Sequence, residues 1–204
     1  MSVVQERQIR QRIIDTYLSR PSKTSFRLIE ELDLCLGDAR IDMAVFGSTI
    51  TGIEIKSDSD TLSRLPRQIE VYGKIFERIF IYVGSRHVAN VMCLAPEWWG
   101  VIEVAGSSEE FNLILRRKAQ KNLKVDKLSL TQLLWKEEVI PLLSGVNCAS
   151  LKYKNRHQLW EMLSKRLSER KLKEAITTCI KARVYDSIDE QRKLYDGLCR
   201  PSPM

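Results

Sequence analysis

Alternating apolar and polar residues between Asp42 and Lys56 predict two neighbouring β-strands. Apolar side chains recur at nearly every second position on both sides of Gly47 and Ser48, a pair of residues typical of a tight turn. The segment therefore reads as a β-hairpin. Three charged residues interrupt its apolar strands: Asp42 on the first strand, and Glu54 and Lys56 on the second. Buried charges are costly unless they bind something, so the hairpin is where we expect chemistry.

The length of the turn decides which of these side chains share a face of the sheet. A two-residue loop at Gly47 and Ser48 would place Asp42 opposite Ile53, on the wrong face for Glu54. A three-residue loop or a bulge would instead turn Asp42 toward Glu54. A shared site therefore predicts an odd-numbered loop or a bulge in this hairpin.

The rest of the pattern predicts an α/β fold with a mixed central sheet flanked by helices. Helical periodicity covers residues 4–19, and a second helix has Pro66 in its first turn and buries Ile69, Tyr72 and Phe76. The run 26–32 fits a strand or the end of a helix, and the strand that follows it favours a strand. Further strands are expected at 40–46, 78–84, 91–95 and 99–104.

The pattern becomes helical after residue 107. Helices are expected at 109–122, 129–143, 156–167 and 169–185, with a linker at 145–154 and a loose end at 200–204. We accordingly expect an α/β core over residues 1–107 and a basic helical extension over residues 108–204 that packs on the core.

Charge divides the chain into an acidic and a basic part. The 204 residues carry a net charge of +7, yet residues 1–111 have a net charge of −3 and residues 112–204 one of +10. A basic surface indicates nucleic acid as a partner, although a solvated helical surface has the same composition. The candidate phosphate contacts in this part are Arg116, Arg117, Lys118 and Lys121.

Several classes of protein are disfavoured. No run of 18 apolar residues predicts a membrane span, and the charged first twenty residues lack the apolar core of a secretory signal. The five cysteines are scattered without zinc-binding spacing, which is typical of reduced thiols in a cytoplasmic protein. The two histidines lie far from the hairpin in sequence, which argues against a histidine-based zinc hydrolase.

The hairpin residues suit a hard divalent cation such as Mg²⁺ (or Mn²⁺). Asp42 and Glu54 offer carboxylate oxygens and Ile55 a backbone carbonyl, the donors that Mg²⁺ prefers. Lys56 beside the ion could orient or activate the attacking water and stabilise the charge that develops on a phosphate. These are the requirements of phosphodiester hydrolysis.

This arrangement resembles the PD-(D/E)xK nuclease superfamily, whose members have the restriction-endonuclease-like fold. The order strand, Asp42, hairpin, Glu54-x-Lys56, helix matches, and Gln68 to Tyr72 looks like the Q-x-x-x-Y element of the RecB-like branch. Additional stretches are similar to a poorly characterised stand-alone bacterial and phage family of that superfamily, at residues 40–42, 52–68, 96–101 and 133–138. The resemblance covers most of residues 26–143.

The resemblance implies roles for individual residues. Asp42, Glu54 and the carbonyl of Ile55 would hold the metal, and Lys56 would be catalytic. An upstream acid, Glu31 in preference to Glu30 or Asp33, would complete a second metal position or assist the first. Gln68 would lie in the catalytic site and Tyr72 near the nucleic acid, joined by Arg64 and Arg67.

The expected function is that of a Mg²⁺-dependent nuclease, with DNA favoured over RNA and an endonuclease that could act as a homodimer. A non-catalytic nucleic-acid-binding accessory protein on the same fold is the main alternative, and an interaction protein for acidic partners is a third. Plainer interpretations of single residues also stand. Asp42 could pair with Arg40 or Arg64, Lys56 could be an exposed lysine, and Tyr72 could be part of the core.

Overall fold

A six-stranded mixed sheet forms the centre of the protein. The computed structural model describes residues 3–19, 26–143 and 151–183. The strands lie in the sheet in chain order: β1 (Arg27–Leu34), β2 (Ala39–Phe46), β3 (Ile50–Lys56), β4 (Arg78–Gly84), β5 (Gly100–Gly106) and β6 (Phe111–Arg117). The pairs β3–β4 and β4–β5 are parallel, and the other neighbouring strands are antiparallel.

Helices cover both faces of this sheet. In the described residues they are α1 (Glu6–Leu18), α2 (Leu65–Ile75), α3 (Val88–Leu94), α4 (Lys127–Thr131), α5 (Lys136–Leu142), α6 (Arg156–Arg166) and α7 (Glu169–Ala182). The protein is thus a mixed α/β fold with helices at its C-terminal end, as the sequence predicts. Among these helices none is long and apolar enough to cross a membrane.

Two apolar clusters hold the layers together. On one face α1 buries Ile9 and Ile13 in a cluster that includes Met43 and Ile53 of the central strands. On the other face a single larger cluster runs from Ile29 on β1 to residues of α2, α6 and α7. The boundary expected at residue 107 therefore falls in the turn between β5 and β6, two strands of one sheet, and the helices that follow share its core.

Two predicted elements are wrong. Residues 91–94 belong to helix α3, and Ala95 follows its end, rather than forming a strand, since the parallel strands β4 and β5 need a crossover connection between them. Residues 111–117 form strand β6 rather than a basic helix, and they pair with β5. Here the hydrogen bonds gained by pairing with the edge of the sheet outweigh the helical tendency that the pattern of charges suggests.

The remaining C-terminal elements follow the prediction more closely. The single helix expected at 129–143 is divided into α4 and α5, and Trp135 lies just before the second of them. The expected helix pair is confirmed as α6 and α7, and Ser168 caps the second helix by accepting a hydrogen bond from Lys171 N. Most of the expected linker (145–150) and the loose end lie outside the described residues.

Candidate functional site

The hairpin has the three-residue loop that a shared site requires. Strands β2 and β3 pair with Phe46 opposite Ile50 and Met43 opposite Ile53, which leaves residues 47–49 as the loop. This confirms the odd-numbered turn. Continued by one residue, the register places Asp42 opposite Glu54. Asp42 Oδ2 accepts a hydrogen bond of 2.6 Å from the backbone N–H of Ile55, which ties the carboxylate to the neighbouring strand.

Glu54 is the most buried acid in this region, with 1% of its surface exposed. Three donors compensate its charge. Lys56 Nζ and Gln68 Nε2 each lie 2.6 Å from Glu54 Oε1, and the hydroxyl of Tyr72 lies 2.7 Å from Oε2. Gln68 and Tyr72 stand one turn apart on α2, so one face of the helix presents both donors to the carboxylate. The structure thus brings together four residues that the sequence singles out.

Tyr72 lies in the core rather than at a surface that nucleic acid could reach, which differs from its predicted place. Its side chain is fully buried and stacks on Trp99, with 6.1 Å between the ring centroids. Burial raises the pKa of its hydroxyl, and the neighbouring charge of Glu54 raises it further. The hydroxyl therefore stays protonated and donates to Glu54. Tyr72 holds this carboxylate in place from within the core.

Asp42 is held in an environment that disfavours its charge. Burial and the negative charge of Glu54 raise the pKa of Asp42 to about 8, although the hydrogen bond from Ile55 opposes the shift. Two nearby carboxylates repel each other unless a cation lies between or beside them. The pair is therefore suited to a positive ligand. The alternative pairing of Asp42 with Arg40 is not found, because Arg40 pairs with Asp33.

In strands β1 and β2, the alternation of side chains between the two faces of the sheet is interrupted at the upstream acid. Leu32 pairs with Ile41 and Glu30 pairs with Met43, while Glu31 and Asp42 between them are left out of the ladder. Glu31 adopts a left-handed backbone with a φ of 53°. This conformation costs a residue with a side chain on the order of 1–2 kcal/mol, so its surroundings must hold it there.

Arg10 on α1 holds these acids together, and sequence reasoning missed it. Its Nη2 lies 2.5 Å from Glu6 Oε1, 2.6 Å from Glu31 Oε1 and 3.6 Å from Asp42 Oδ1. Burial lowers the pKa of Arg10, but the hydrogen bond that Arg10 donates to Glu6 and the charges of Glu31 and Asp42 outweigh burial and raise the pKa above its ordinary value. The spacing of Glu6 and Arg10, four residues apart beside a buried stripe, was the signal available in the sequence.

The sequence leaves open whether Glu30 or Glu31 joins the site, and in the structure both reach the same residue. Alternation along a regular strand would send the two side chains to opposite faces. Because Glu31 is left-handed, both reach the same guanidinium, Glu30 through Arg10 Nη1 at 3.2 Å and Glu31 through Nη2. Asp33, the third candidate, belongs to a separate ion pair with Arg40.

An open cleft of about 320 Å³ adjoins Gln68. Its walls include the exposed residues Arg64 and Arg67, two of the predicted nucleic-acid contacts, together with Arg40. Arg67 is also paired with Asp38 at 2.8 Å and Glu70 at 2.6 Å. Asp33 and Asp38 also line the cleft and pair with Arg40 and Arg67, so the rim is mixed in charge, and the cleft leads toward the side chain that donates to Glu54.

The cluster of basic residues after residue 115 is not one phosphate-binding face. Arg116 on β6 forms an ion pair with Glu103, and Arg117 donates to the backbone carbonyls of Trp99, Ala95 and Pro96. Burial lowers the pKa of Arg117, whose role is structural. Lys118 and Lys121 are exposed in the extended segment that follows the strand, so these two retain freedom to contact a polyanion.

The residues present fit a divalent cation. Two carboxylate oxygens can still accept a ligand. Among the described residues, Asp42 Oδ1 accepts no hydrogen bond, and Glu54 Oε2 accepts only the one from Tyr72. Gln68 Oε1 is buried and has no hydrogen-bond partner in the described protein, although the amide nitrogen of the same side chain is fully used. A buried acceptor without a donor, on a side chain that also contacts Glu54, suits a water molecule bound to a cation. Ile55 contacts Asp42 through its N–H rather than its carbonyl.

The fold and site define a mixed α/β protein with a buried carboxylate pair, a lysine and an acid cluster at the end of its central hairpin. A family model described as Bacteriophage P4 protein cII matches residues 1–193. The chain belongs to this family. It is 24% identical to protein cII of enterobacteria phage P4 over 183 residues, which cover 90% of this chain and 69% of that protein.

A solved structure also aligns with part of the chain. It is the SPO1766 protein of unknown function from Silicibacter pomeroyi, which matches with a TM-score of 0.38 and 22% identity over 54% of this chain and 69% of that one. A likeness at this level carries no argument about the fold or the function.

Proposed function

We propose that the protein is a metal-dependent nuclease that hydrolyses phosphodiester bonds, most favourably in DNA. One observation carries the proposal: Asp42 and Glu54 are held beside each other with Lys56, and Glu54 is fixed by Gln68 and Tyr72. This is the constellation of the PD-(D/E)xK superfamily. We place the protein in that superfamily as part of the proposal, with an activity in the cytoplasm.

Each residue of the site has a task in this reaction. Asp42 and Glu54 would hold Mg²⁺ or Mn²⁺, which lowers the pKa of a bound water and neutralises the phosphate. Lys56 lies 2.6 Å from Glu54 and is 12% exposed, so its ammonium group is placed to donate to a phosphate oxygen or to the attacking water. Gln68 Oε1 is the acceptor that can orient that water.

The cleft beside Gln68 is the proposed path of the nucleic acid. Arg64 and Arg67 on its rim would contact phosphates, and the exposed Lys118 and Lys121 are further candidates elsewhere on the surface.

Cleavage of defined substrates tests the proposal. Purified protein is incubated with supercoiled, linear and single-stranded DNA and with RNA, in Mg²⁺, Mn²⁺ or EDTA. We expect metal-dependent cleavage that is lost in Asp42→Asn and Lys56→Met and kept in Lys165→Met, a control at an exposed lysine of α6. Full activity in EDTA, or in either of the first two variants, rules the mechanism out.

A non-catalytic nucleic-acid-binding protein is the second candidate, and Arg10 is the observation that favours it. The guanidinium already neutralises part of the acid cluster, so a folded protein without metal is electrostatically reasonable. This candidate predicts salt-dependent binding of DNA with no cleavage in any metal. Binding that is unaffected by DNA competitor would point instead to a protein partner.

A further inference from the structure

Strand β6 forms one edge of the sheet, and no described segment pairs with its outer side. The middle of the strand is apolar and exposed: Ile114 has 36% of its surface exposed and Leu115 has 52%. A strand at an edge presents unpaired backbone N–H and C=O groups, which are a template for another strand. This edge therefore combines backbone groups that can pair with apolar side chains that gain from being covered.

The opposite edge of the sheet is protected against such pairing. Four of the eight residues of strand β1 are charged, and its ladder with β2 is interrupted where Glu31 is left-handed. Charges and irregularities of this kind prevent strand edges from pairing with other chains. Between Phe111 and Leu115 strand β6 has no charge and no irregularity, since its register shift against β5 lies beyond Leu115. Of the two edges, β6 is the one suited to accept a strand.

The hydrogen bonds to β5 decide which residues of β6 direct their backbone outward. The turn between the two strands is closed by a bond of 2.8 Å from Ser107 N to Glu110 O. In an antiparallel ladder every second pair exchanges such bonds, so every second residue after Glu110, including Ile114, directs its backbone toward β5. Leu113 and Leu115 therefore direct their N–H and C=O groups away from the sheet.

The sequence of β6 is complementary to itself when a second copy runs antiparallel to it. With Ile114 on the two-fold axis all seven residues of the strand find a partner, and Leu113 of each copy lies opposite Leu115 of the other. The same register places Glu110 opposite Lys118 at each end of the contact. Both residues are exposed, and neither forms an ion pair with another described residue. Apolar pairs at the centre are thus flanked by opposite charges.

A shift of the axis to Leu113 gives a poorer match. Glu110 would then lie opposite Arg116, which already forms an ion pair with Glu103 at 2.5 Å. Glu109 would lie opposite Arg117, whose guanidinium donates to backbone carbonyls. The axis at Ile114 instead uses charges that are still available.

We propose that β6 is the interface of a homodimer, in which two copies pair antiparallel about Ile114 and their six-stranded sheets join into one. The contact uses Lys118 and leaves Lys121 as the exposed lysine available to a polyanion. It does not depend on the proposed function. Because the two-fold axis is perpendicular to the sheet, the hairpin of one copy is turned end for end relative to that of the other. The two pairs of Asp42 and Glu54 therefore lie at opposite ends of the joined sheet.

Size-exclusion chromatography with light scattering, over a range of protein concentrations and without DNA, tests the interface. We expect the wild type to reach twice the chain mass of 23.6 kDa, and so should the control Leu123→Lys, at an exposed leucine outside the strand. Ile114→Lys and Ile114→Glu each place like charges against each other at the axis, and should raise the dissociation constant at least about tenfold. A monomeric wild type, or an unchanged dimer in both variants, overturns the proposal.

Mixing the two Ile114 variants tests the register as well. The lysine of one copy then lies opposite the glutamate of the other, so an equimolar mixture should regain a dimer that contains one copy of each. Circular dichroism checks that each variant is folded. Leu115→Lys, at a more exposed position, is a second variant that should weaken the dimer, because its lysine would lie opposite Leu113. A mixture that stays monomeric, or a Leu115→Lys protein that dimerises like the wild type, overturns the proposal.

Discussion

Replacing Asp42 with asparagine should stabilise the metal-free protein while it removes the proposed metal site. The folded state keeps a proton on Asp42 up to a pH of about 8, whereas the ordinary value of this carboxyl group is 3.8. Between these two values the folded protein binds more protons than the unfolded chain. Stability therefore falls as the pH rises from about 4 to about 8, and Asp42→Asn removes this loss.

The size of the effect follows from the same interval. One unit of pKa corresponds to about 1.36 kcal/mol. At pH 8 the stability that Asp42→Asn regains is therefore at most roughly 5 kcal/mol. Relaxation of the surroundings reduces it, and we expect about 2–4 kcal/mol, equivalent to a rise in Tm of roughly 5–15 °C for a chain of this size. The amide oxygen of asparagine can still accept the hydrogen bond from Ile55 N, which keeps the backbone contact.

Thermal unfolding in EDTA at pH 4, 6 and 8 measures this. The Tm difference between Asp42→Asn and the wild type should be near zero at pH 4 and largest at pH 8, and Asp15→Asn, at an exposed position of α1, should show no such trend. An equal difference at all three values, or a less stable variant at pH 8, refutes the reasoning. Saturating Mn²⁺ should raise the Tm of the wild type and leave that of the variant unchanged.

Three further variants test the surroundings of the site. Tyr72→Phe removes one hydrogen bond to Glu54; it should cost about 1–2 kcal/mol in urea unfolding and slow cleavage at least about tenfold, and an unchanged rate would show that this donor is dispensable. Trp99→Ala empties the largest fully buried side-chain volume and should cost about 3–5 kcal/mol in the same assay, while a loss below about 1 kcal/mol would contradict the packing. Gly52→Val should cost about 1–3 kcal/mol, because a Cβ there would lie 2.6 Å from Ile41 Cδ1; a variant as stable as the wild type would mean that this side chain moves away freely.

The hairpin was predictable because its signals are local and agree with one another. Alternation on both strands defines the faces, and the need to bring Asp42 toward Glu54 leaves only a loop of odd length or a bulge. The helix with Gln68 and Tyr72 follows at once, so its position over β3 requires only a short connection. Elements whose apolar pattern and chain order agree are recovered well from sequence.

The missed elements lie where tertiary context decides. Residues 111–117 have charges that favour a helix in isolation, but they gain a hydrogen-bonded neighbour in β5. Arg10 and Glu31 are 21 residues apart, and nothing local shows that a guanidinium from the first helix reaches a distorted strand. The buried contact of Tyr72 with Trp99 depends likewise on two crossovers. Such contacts between residues far apart in the sequence become visible only in the folded molecule.

The left-handed backbone of Glu31 has a consequence for how the family can diverge. The ion pair with Arg10 offsets the cost of the strained backbone at Glu31. Without the arginine, nothing would offset that cost. Mutations at the two positions should therefore be inherited together. Relatives that have lost the arginine are expected to carry glycine or asparagine at the second position, since these residues adopt the same backbone at the lowest cost.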